Sequence, residues 1–441
     1  PDDVVSVFGQ SFDGASSVPL VDPLTSWSTL TDYDAVGEGA DGEERASELA
    51  LEVERLQREL KAQDDKYRTM LLKHEQWGLA RSAMLQQHQG QAQQQAGTRG
   101  RAVDQMRTFV RAKVADLHRQ GLVLGGIGLG GAEGAVMSAA ALMELPLGVP
   151  KMVLSPIASG RHLFDPLVGT SDMIVMHTVV DILGLNAIAC SVFDNAAAAM
   201  AGMVRHGQTA LEAPEHSTAV AITMLGNTTT ASMAMRGVLA EAGLDGVVFH
   251  ANGVGGPAME ELIDAGHFVG VVDLTVSELV GNVMGGVHVG GDDRLRSAGE
   301  RGLPQVVVPG CVEFAVFPPH SIPEHLTDRP RYDHNPEFAL VRANLDDMLA
   351  IADDLADRIN GAKGPIMVVI PTEGFSIPNV PGGEFYDPAT DAAFLERFVA
   401  RLRPDITVVH EPLHVNDPKF GRRVGQHFLD LVHQSEGTTR T

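Results

Sequence analysis

The sequence predicts an α/β protein: two lobes, each a parallel sheet wrapped by helices, with a cleft between them. Three observations carry this. A strand–glycine loop–helix order occurs twice, over Leu122–Leu145 and again over Gly246–Asp264. Short valine- and isoleucine-rich runs alternate with helical stretches, the rhythm of parallel strands joined by crossover helices. The stretch Gly302-Leu-Pro-Gln-Val-Val-Val-Pro309 echoes Gly148-Val-Pro-Lys-Met-Val-Leu-Ser-Pro156, as in a duplicated design whose strand-end loops share a cleft. A disordered acidic tail and a long heptad helix stand in front. The expected divisions are 1–44, 45–97, 98–210 and 211–441.

Bulk composition bounds the function. At 441 residues with 44% hydrophobic content, the chain can bury more than one core. A formal charge of −24 argues against nucleic acid or an anionic membrane as partner. Two cysteines, Cys190 and Cys311, make no disulfide framework and suit a reducing, cytoplasmic compartment. No apolar run reaches about 18 residues, so no membrane span is expected. No signal-like segment follows Pro1.

In chain order, residues 1–44 lack Lys and Arg and mix acids with Ser, Gly and Pro, which predicts disorder. Then Leu49, Val53, Leu56, Leu60, Gln63, Tyr67, Met70, His74, Trp77, Arg81 and Met84 alternate in steps of four and three. That is coiled-coil spacing with polar lapses, ending in the glutamine-rich linker 86–95. A helix over 100–120 places Val103, Met106, Val110, Val114 and Leu117 on one face, and Gly121 ends it. Leu122–Leu124 reads as a strand entering the glycine cluster 125–134, and Ala135–Leu145 as the helix that follows. Strands are expected at Met152–Leu154, Ala219–Met224, Gly246–His250, Ile366–Ile370 and Thr407–His410. Helices are expected at Asn195–Val204, Ala231–Ala242, Ala258–Asp264 (with Pro257 first and Gly266 closing it) and Phe420–His433.

The glycine cluster is the sharpest chemical signal. A strand that turns through glycines into a helix leaves amide donors and a positive dipole end for an anion. Gly126-Ile-Gly128-Leu-Gly130-Gly131 matches G-x-G-x-x-G in that context. No acid follows at the end of the next strand, where Lys151–Ser155 stand, so a nicotinamide dinucleotide is disfavoured. No Gly-Lys-Ser/Thr follows either, and Glu133 opposes a phosphate. The alternative is that these glycines only let helix and sheet pack closely.

Polar groups at loop tips form a second set: Asp172, His250, Asn252, Glu278, His334 with Asn335, Glu373, and His414 with Asn416 and Asp417. Hard oxygens there suit Mg²⁺ or ribose, and the histidines suit acid–base work. Each also fits a plain turn, cap or buried-histidine role. No Ser–His–Asp arrangement or zinc spacing stands out.

Taken together, Gly128-Leu-Gly-Gly131, Leu147-Gly-Val-Pro-Lys151, Ala158-Ser159-Gly160, Gly169-Thr170-Ser171-Asp172, Phe249-His-Ala-Asn252-Gly253-Val-Gly255-Gly256, Ala258-Met-Glu260, Asp273-Leu-Thr275, His334-Asn-Pro336 and His414-Val-Asn-Asp-Pro418 resemble the ATP-binding domain family named for the tomato mosaic virus resistance protein. The resemblance runs from about residue 98 to 435. It implies two Rossmann-like lobes, ATP with Mg²⁺ in the first lobe, and a homodimer or higher homo-oligomer; for the plant member it implies direct inhibition of a viral replication protein. The chain departs from the pattern at Ala132-Glu133, at Pro371-Thr-Glu-Gly374 and at Arg342-Ala-Asn344. It also lacks the family's opening strand and Gly-Thr-x-Asp-Thr-Lys loop.

The leading expectation is therefore a protein that binds ATP or a related phosphorylated ligand. Gly126, Gly128, Gly130, Gly131, Ser159, Gly160, Gly169, Thr170, Ser171 and Asp172 would contribute, with Asp172 toward Mg²⁺. A second expectation is a metal-assisted hydrolase or isomerase in the second lobe, using His250, Glu373, His414 and Asp417 around the loop Asn252, Gly253, Gly255 and Gly256. A third is a non-catalytic oligomeric module paired through the heptad helix.

Overall fold

A computed structural model describes residues 55, 58, 99–158, 165–182, 186–207, 211, 213–214 and 216–439. The acidic tail and almost all of the heptad segment lie outside the described residues, as do Ser159 and Gly160. The chain forms two compact units. One holds the residues up to Val168 together with Met173–Thr209; the other holds Gly169–Asp172 together with Ala210–Thr441.

The first unit opens with α1 (Arg99–Arg119), whose Met106, Val110 and Val114 are buried. Gly121 closes it at φ +71°, a conformation glycine adopts without strain. Next come β1 (Gly126–Leu129), α2 (Ala132–Leu142), β2 (Lys151–Ser155), β3 (Ile174–His177) and α3 (Ala187–His206). The three strands pair in parallel in the order β1-β2-β3. Ile127 and Leu129 pack with Met152 and Leu154 against Ala196 and Met200 of α3. The other side of β1 meets α2.

Two expectations change here. Leu122–Leu124 is not the strand; Leu122 and Leu124 are half-exposed, and the strand is Gly126–Leu129. Its glycines let α2 lie close. A Cβ on Gly126 would stand 2.3 Å from Leu142 Cδ2, and one on Gly128 would stand 2.3 Å from Ser138 Cβ. Helix α3 also starts earlier than expected, because the Asn186 side chain caps it by accepting from the amides of Ile188 and Ala189. By length and composition α3 passes for a membrane-crossing helix, but Asp194 and Asn195 interrupt its apolar run and Ala189, Ala196 and Met200 bury one face.

The second unit is built on β4 (Ala219–Met224), β5 (Asp245–His250), β6 (Gly270–Asp273), β7 (Gln305–Val307), β11 (Ile366–Pro371) and β12 (Thr407–Glu411), all parallel in the order β12-β11-β7-β6-β4-β5. Strands covered on both faces by helices need apolar side chains on both, hence the continuous runs Val271-Val272 and Val306-Val307-Val308. The chain steps outward from β4 to β5, then returns to β6 on the other side of β4, so strand order reverses there. On one face α4 (Thr229–Glu241) and α9 (Pro418–Thr439) pack through Met235, Leu239, Phe420, Val424 and Phe428. On the other lie α5 (Gly255–Asp264), α6 (Ser277–Met284), α7 (Leu345–Asn360) and α8 (Pro388–Arg401). Pro257 is the third residue of α5, not the first, while Gly266 does follow its end at φ +87°.

The sequence reading did not anticipate a small antiparallel sheet. It comprises β8 (Phe314–Phe317), β9 (Arg331–Asp333) and β10 (Ala339–Arg342), in the order β8-β10-β9. It lies in the chain between β7 and α7.

Candidate functional site

The first glycine cluster divides by role. Gly126 and Gly128 serve packing, as described. Gly130 is where the turn closes on the helix: a Cβ there would meet the Gly134 backbone at 2.5 Å. Gly131 is the N-cap of α2, at φ −66° and ψ −159°, and no side chain caps the helix. No atom lies within 4 Å of a Cβ built on Gly131, and contact at Gly134 is slight. The Gly130 amide already donates to Leu154 O at 3.2 Å, so the anion-binding signal narrows to Gly131–Gly134, the helix start carrying the positive end of the α2 dipole. Glu133 in the first turn opposes that charge.

Gly169–Asp172 clusters with the second unit. There the Thr170 hydroxyl donates to both carboxylate oxygens of Glu261, at 2.9 and 2.8 Å. Ser171 Oγ donates to Asp172 Oδ1 at 3.5 Å. These hydroxyls, expected to meet phosphate, are engaged with carboxylates. Asp172 is exposed, and among the described residues no group of three or more His, Cys, Asp or Glu is placed to hold a metal ion.

The second glycine loop has the same local design and the opposite state. Glu278 Oε1 accepts from the amides of Gly253 at 2.8 Å and Gly256 at 3.1 Å. Asn252 Oδ1 accepts from Val254 and Gly255, both at 3.3 Å. A Cβ on Gly256 would stand 1.9 Å from Glu278 Oε2, so glycine is needed for the carboxylate to enter. The protein fills this anion position with its own side chain. Glu278, expected at a loop tip facing ligand, is fully buried.

Arg294 holds Glu278 in place. Its Nε donates to Glu278 Oε2 at 2.7 Å, and its Nη1 lies 2.7 Å from Asp273 Oδ1 and 3.0 Å from Glu260 Oε1. All four side chains are at most 4% exposed. Burial opposes the guanidinium's charge, but Asp273, Glu278 and Glu260 more than reverse this and raise its pKa. Burial raises the Glu260 pKa, although Arg294 and the amides of Leu295 and Ser297 pull the other way. Sequence reasoning missed this quartet as a unit. Arg294 stands in the run Asp292-Asp293-Arg294-Leu295-Arg296, which reads as a solvated surface.

Of the residues expected to form a second-lobe catalytic cluster, Glu373, His414 and Asp417 lie on the loops after the adjacent strands β11 and β12, and His250 stands apart from them. His250 ends β5 and His414 follows β12, and these strands are opposite edges of the six-stranded sheet. His414 has both ring nitrogens engaged: Nδ1 accepts from the Asn416 amide at 3.1 Å, so Nε2 carries the proton toward Ser376 O at 2.9 Å. Asn416 Oδ1 accepts from the amides of Thr230 and Ala231, capping α4 from another loop. Asp417 Oδ1 accepts from Lys419 N at 2.7 Å at the start of α9, and Glu373 is exposed. His334 lies in a turn where Asn335 Oδ1 accepts from Glu337 and Phe338. Beside His250, burial brings His288 down to about 4, so that imidazole is neutral at physiological pH.

With this geometry in hand, comparison with known proteins is specific. Residues 66–209 match the N-terminal domain of the uncharacterised protein family UPF0261, and residues 217–432 match its C-terminal domain. A UPF0261 protein of Mesorhizobium japonicum is 36% identical over 69% of this chain and 76% of its own length. Another from Rhizobium meliloti is 36% identical over 70% of this chain and 77% of its own. The ToMV resistance protein Tm-1 of Solanum lycopersicum is 33% identical over 77% of this chain, a match that spans 46% of the tomato protein. The chain belongs to the UPF0261 family.

Proposed function

We propose that this UPF0261 chain binds ATP or a related phosphorylated ligand, with a phosphate seated on the amides that begin α2. One observation carries the reading. Of two strand–glycine–helix turns, the one at Gly253–Gly256 is filled by Glu278, whereas the one at Gly131–Gly134 has no side-chain cap and open space over Gly131. The residues fit a phosphate: donors point along the helix axis, and no side chain at Gly131 obstructs approach. Among the described residues no group of three or more His, Cys, Asp or Glu is placed to give Mg²⁺ a ligand set, and Thr170 is committed to Glu261. Mg²⁺ enters the proposal only as the counter-ion that nucleotide phosphates carry.

Under this reading the chain supplies binding and orientation. The α2 dipole favours the phosphate charge, while Glu133 keeps affinity modest. The matching ligand pool is cytoplasmic.

Titration calorimetry with ATP and Mg²⁺ tests the proposal. Saturable heat is expected, and none at millimolar nucleotide refutes it. The discriminating variant is Gly131→Asp. The extended N-cap backbone and open space accept aspartate, whose carboxylate takes the amides as Glu278 does in the other loop. The variant should melt higher and lose nucleotide binding. Binding equal to that of the unaltered protein would place the ligand elsewhere.

A further inference from the structure

Helix α3 leaves one face uncovered. Its Ala196 and Met200 pack on Met152 and Leu154, with Val192 and Phe193 beside them. Half a turn away, Ala187, Ser191, Asp194, Ala198 and Ala201 recur in steps of four and three. Ala187, Ser191, Asp194 and Ala198 are exposed, Ile188 and Cys190 lie in the open beside them, and only 17% of the helix's apolar window is buried. A helix this apolar and this little covered is half of an interface.

Asp194 argues against a second copy of the same face. It stands near the middle of the stripe, so a two-fold pairing of α3 with α3 presses two like carboxylates together. The face calls instead for large side chains with a donor or cation among them. The same chain carries such a stripe outside the described residues: Tyr67, Met70, His74, Trp77, Arg81 and Met84, in the same steps of four and three. At 1.5 Å per residue it makes a helix of about 27 Å, against about 30 Å for α3. Arg55 and Arg58, just ahead of it and off the stripe, are helical and exposed. The N-terminal-domain match begins at residue 66 and runs through α3, so this stretch and α3 are parts of one domain. The fourteen residues 85–98 join it to α1. Extended, they span up to about 46 Å, enough to pass from one face of a three-stranded sheet to the other.

We propose that residues 67–84 form a helix that docks along the exposed stripe of α3. Tyr67, Met70, Trp77 and Met84 cover the shallow seam of Ala187, Ser191, Ala198 and Ala201, large side chains over small ones. His74 and Arg81, the polar lapses of the stripe, turn toward Asp194 and supply the cation that the face lacks.

Two probes in the full chain read the two sides of this contact. The chain has two tryptophans, so Trp27→Phe leaves Trp77 as its sole indole. Emission should be blue-shifted and shielded from acrylamide. Ala198→Cys with Cys190→Ala puts one thiol on the stripe and leaves Cys311 in the core. Maleimide should label position 198 about tenfold slower than when Tyr67→Ala and Trp77→Ala are added. Asp194→Lys with Ala198→Arg, which sets bulk and like charge against Arg81, should red-shift Trp77 and remove its shielding. Both readings should be unchanged on dilution, because the contact lies within one chain. An indole as open as free tryptophan overturns the proposal, as does equal labelling with and without Tyr67 and Trp77. Shielding that survives Asp194→Lys with Ala198→Arg, or that fades on dilution, also overturns it and gives the stretch to a second copy. Should that double variant not fold, the labelling rates decide.

Discussion

Replacing Arg294 by methionine removes the cation that faces Asp273, Glu260 and Glu278, all buried. Methionine restores the side-chain volume but none of the charge. Breaking a buried pair from one side costs about 3–5 kcal/mol, because the partner's charge stays in low dielectric. Domains of this kind hold about 5–15 kcal/mol in total, so the loss is large but measurable. The deficit should also depend on pH. Carboxylates stripped of their cation bind protons more tightly in the folded chain than in the unfolded one. Stability is then retained below their ordinary pKa, near 4.5 for Glu260, and lost as pH rises above it. Urea unfolding should show a larger deficit at pH 8 than at pH 5, with unchanged denaturant slope. Adding Glu260→Gln, Glu278→Gln and Asp273→Asn to Arg294→Met should recover part of the loss. A deficit below about 1 kcal/mol, or one equal at both pH values, would refute the view that these four charges form one buried unit.

Two further substitutions separate packing from openness. Gly128→Ala forces a Cβ to 2.3 Å from Ser138 Cβ and should cost about 1–3 kcal/mol, whereas Gly131→Ala meets nothing and should shift thermal melting far less. Asn416→Ala leaves the amides of Thr230 and Ala231 without their acceptor. It should cost about 1 kcal/mol in urea unfolding, the scale of a lost helix cap.

Sequence reading succeeded where side chains announce structure. The runs at Ala219, Ile366 and Thr407 are apolar, short and bounded by turn residues, and each is a strand of the large parallel sheet. It failed at β1 because Gly126 and Gly128 carry no side chain, and a strand that half vanishes into helix packing leaves no periodicity to read. The antiparallel sheet escaped because Arg331–Asp333 is polar and its pairing depends on partners distant in sequence. At the candidate site, both glycine clusters do lead into helices, α2 and α5, although Gly126 and Gly128 belong to β1. Only the fold distinguishes them, since it brings Glu278 of α6 under the loop of α5. His414 met the commoner fate of a turn histidine, with both nitrogens engaged by backbone.

The occupancy of that second turn has a consequence for competition. A carboxylate tethered within one chain presents itself at an effective concentration of millimolar or more, and one clamped by an arginine stands higher still. Dissolved anions at cellular levels do not displace it. Under the proposed reading the two turns differ in what they can sense: one answers to the solute outside, the other is deaf to it. Phosphate soaked into crystals should light up the start of α2 and leave the start of α5 dark.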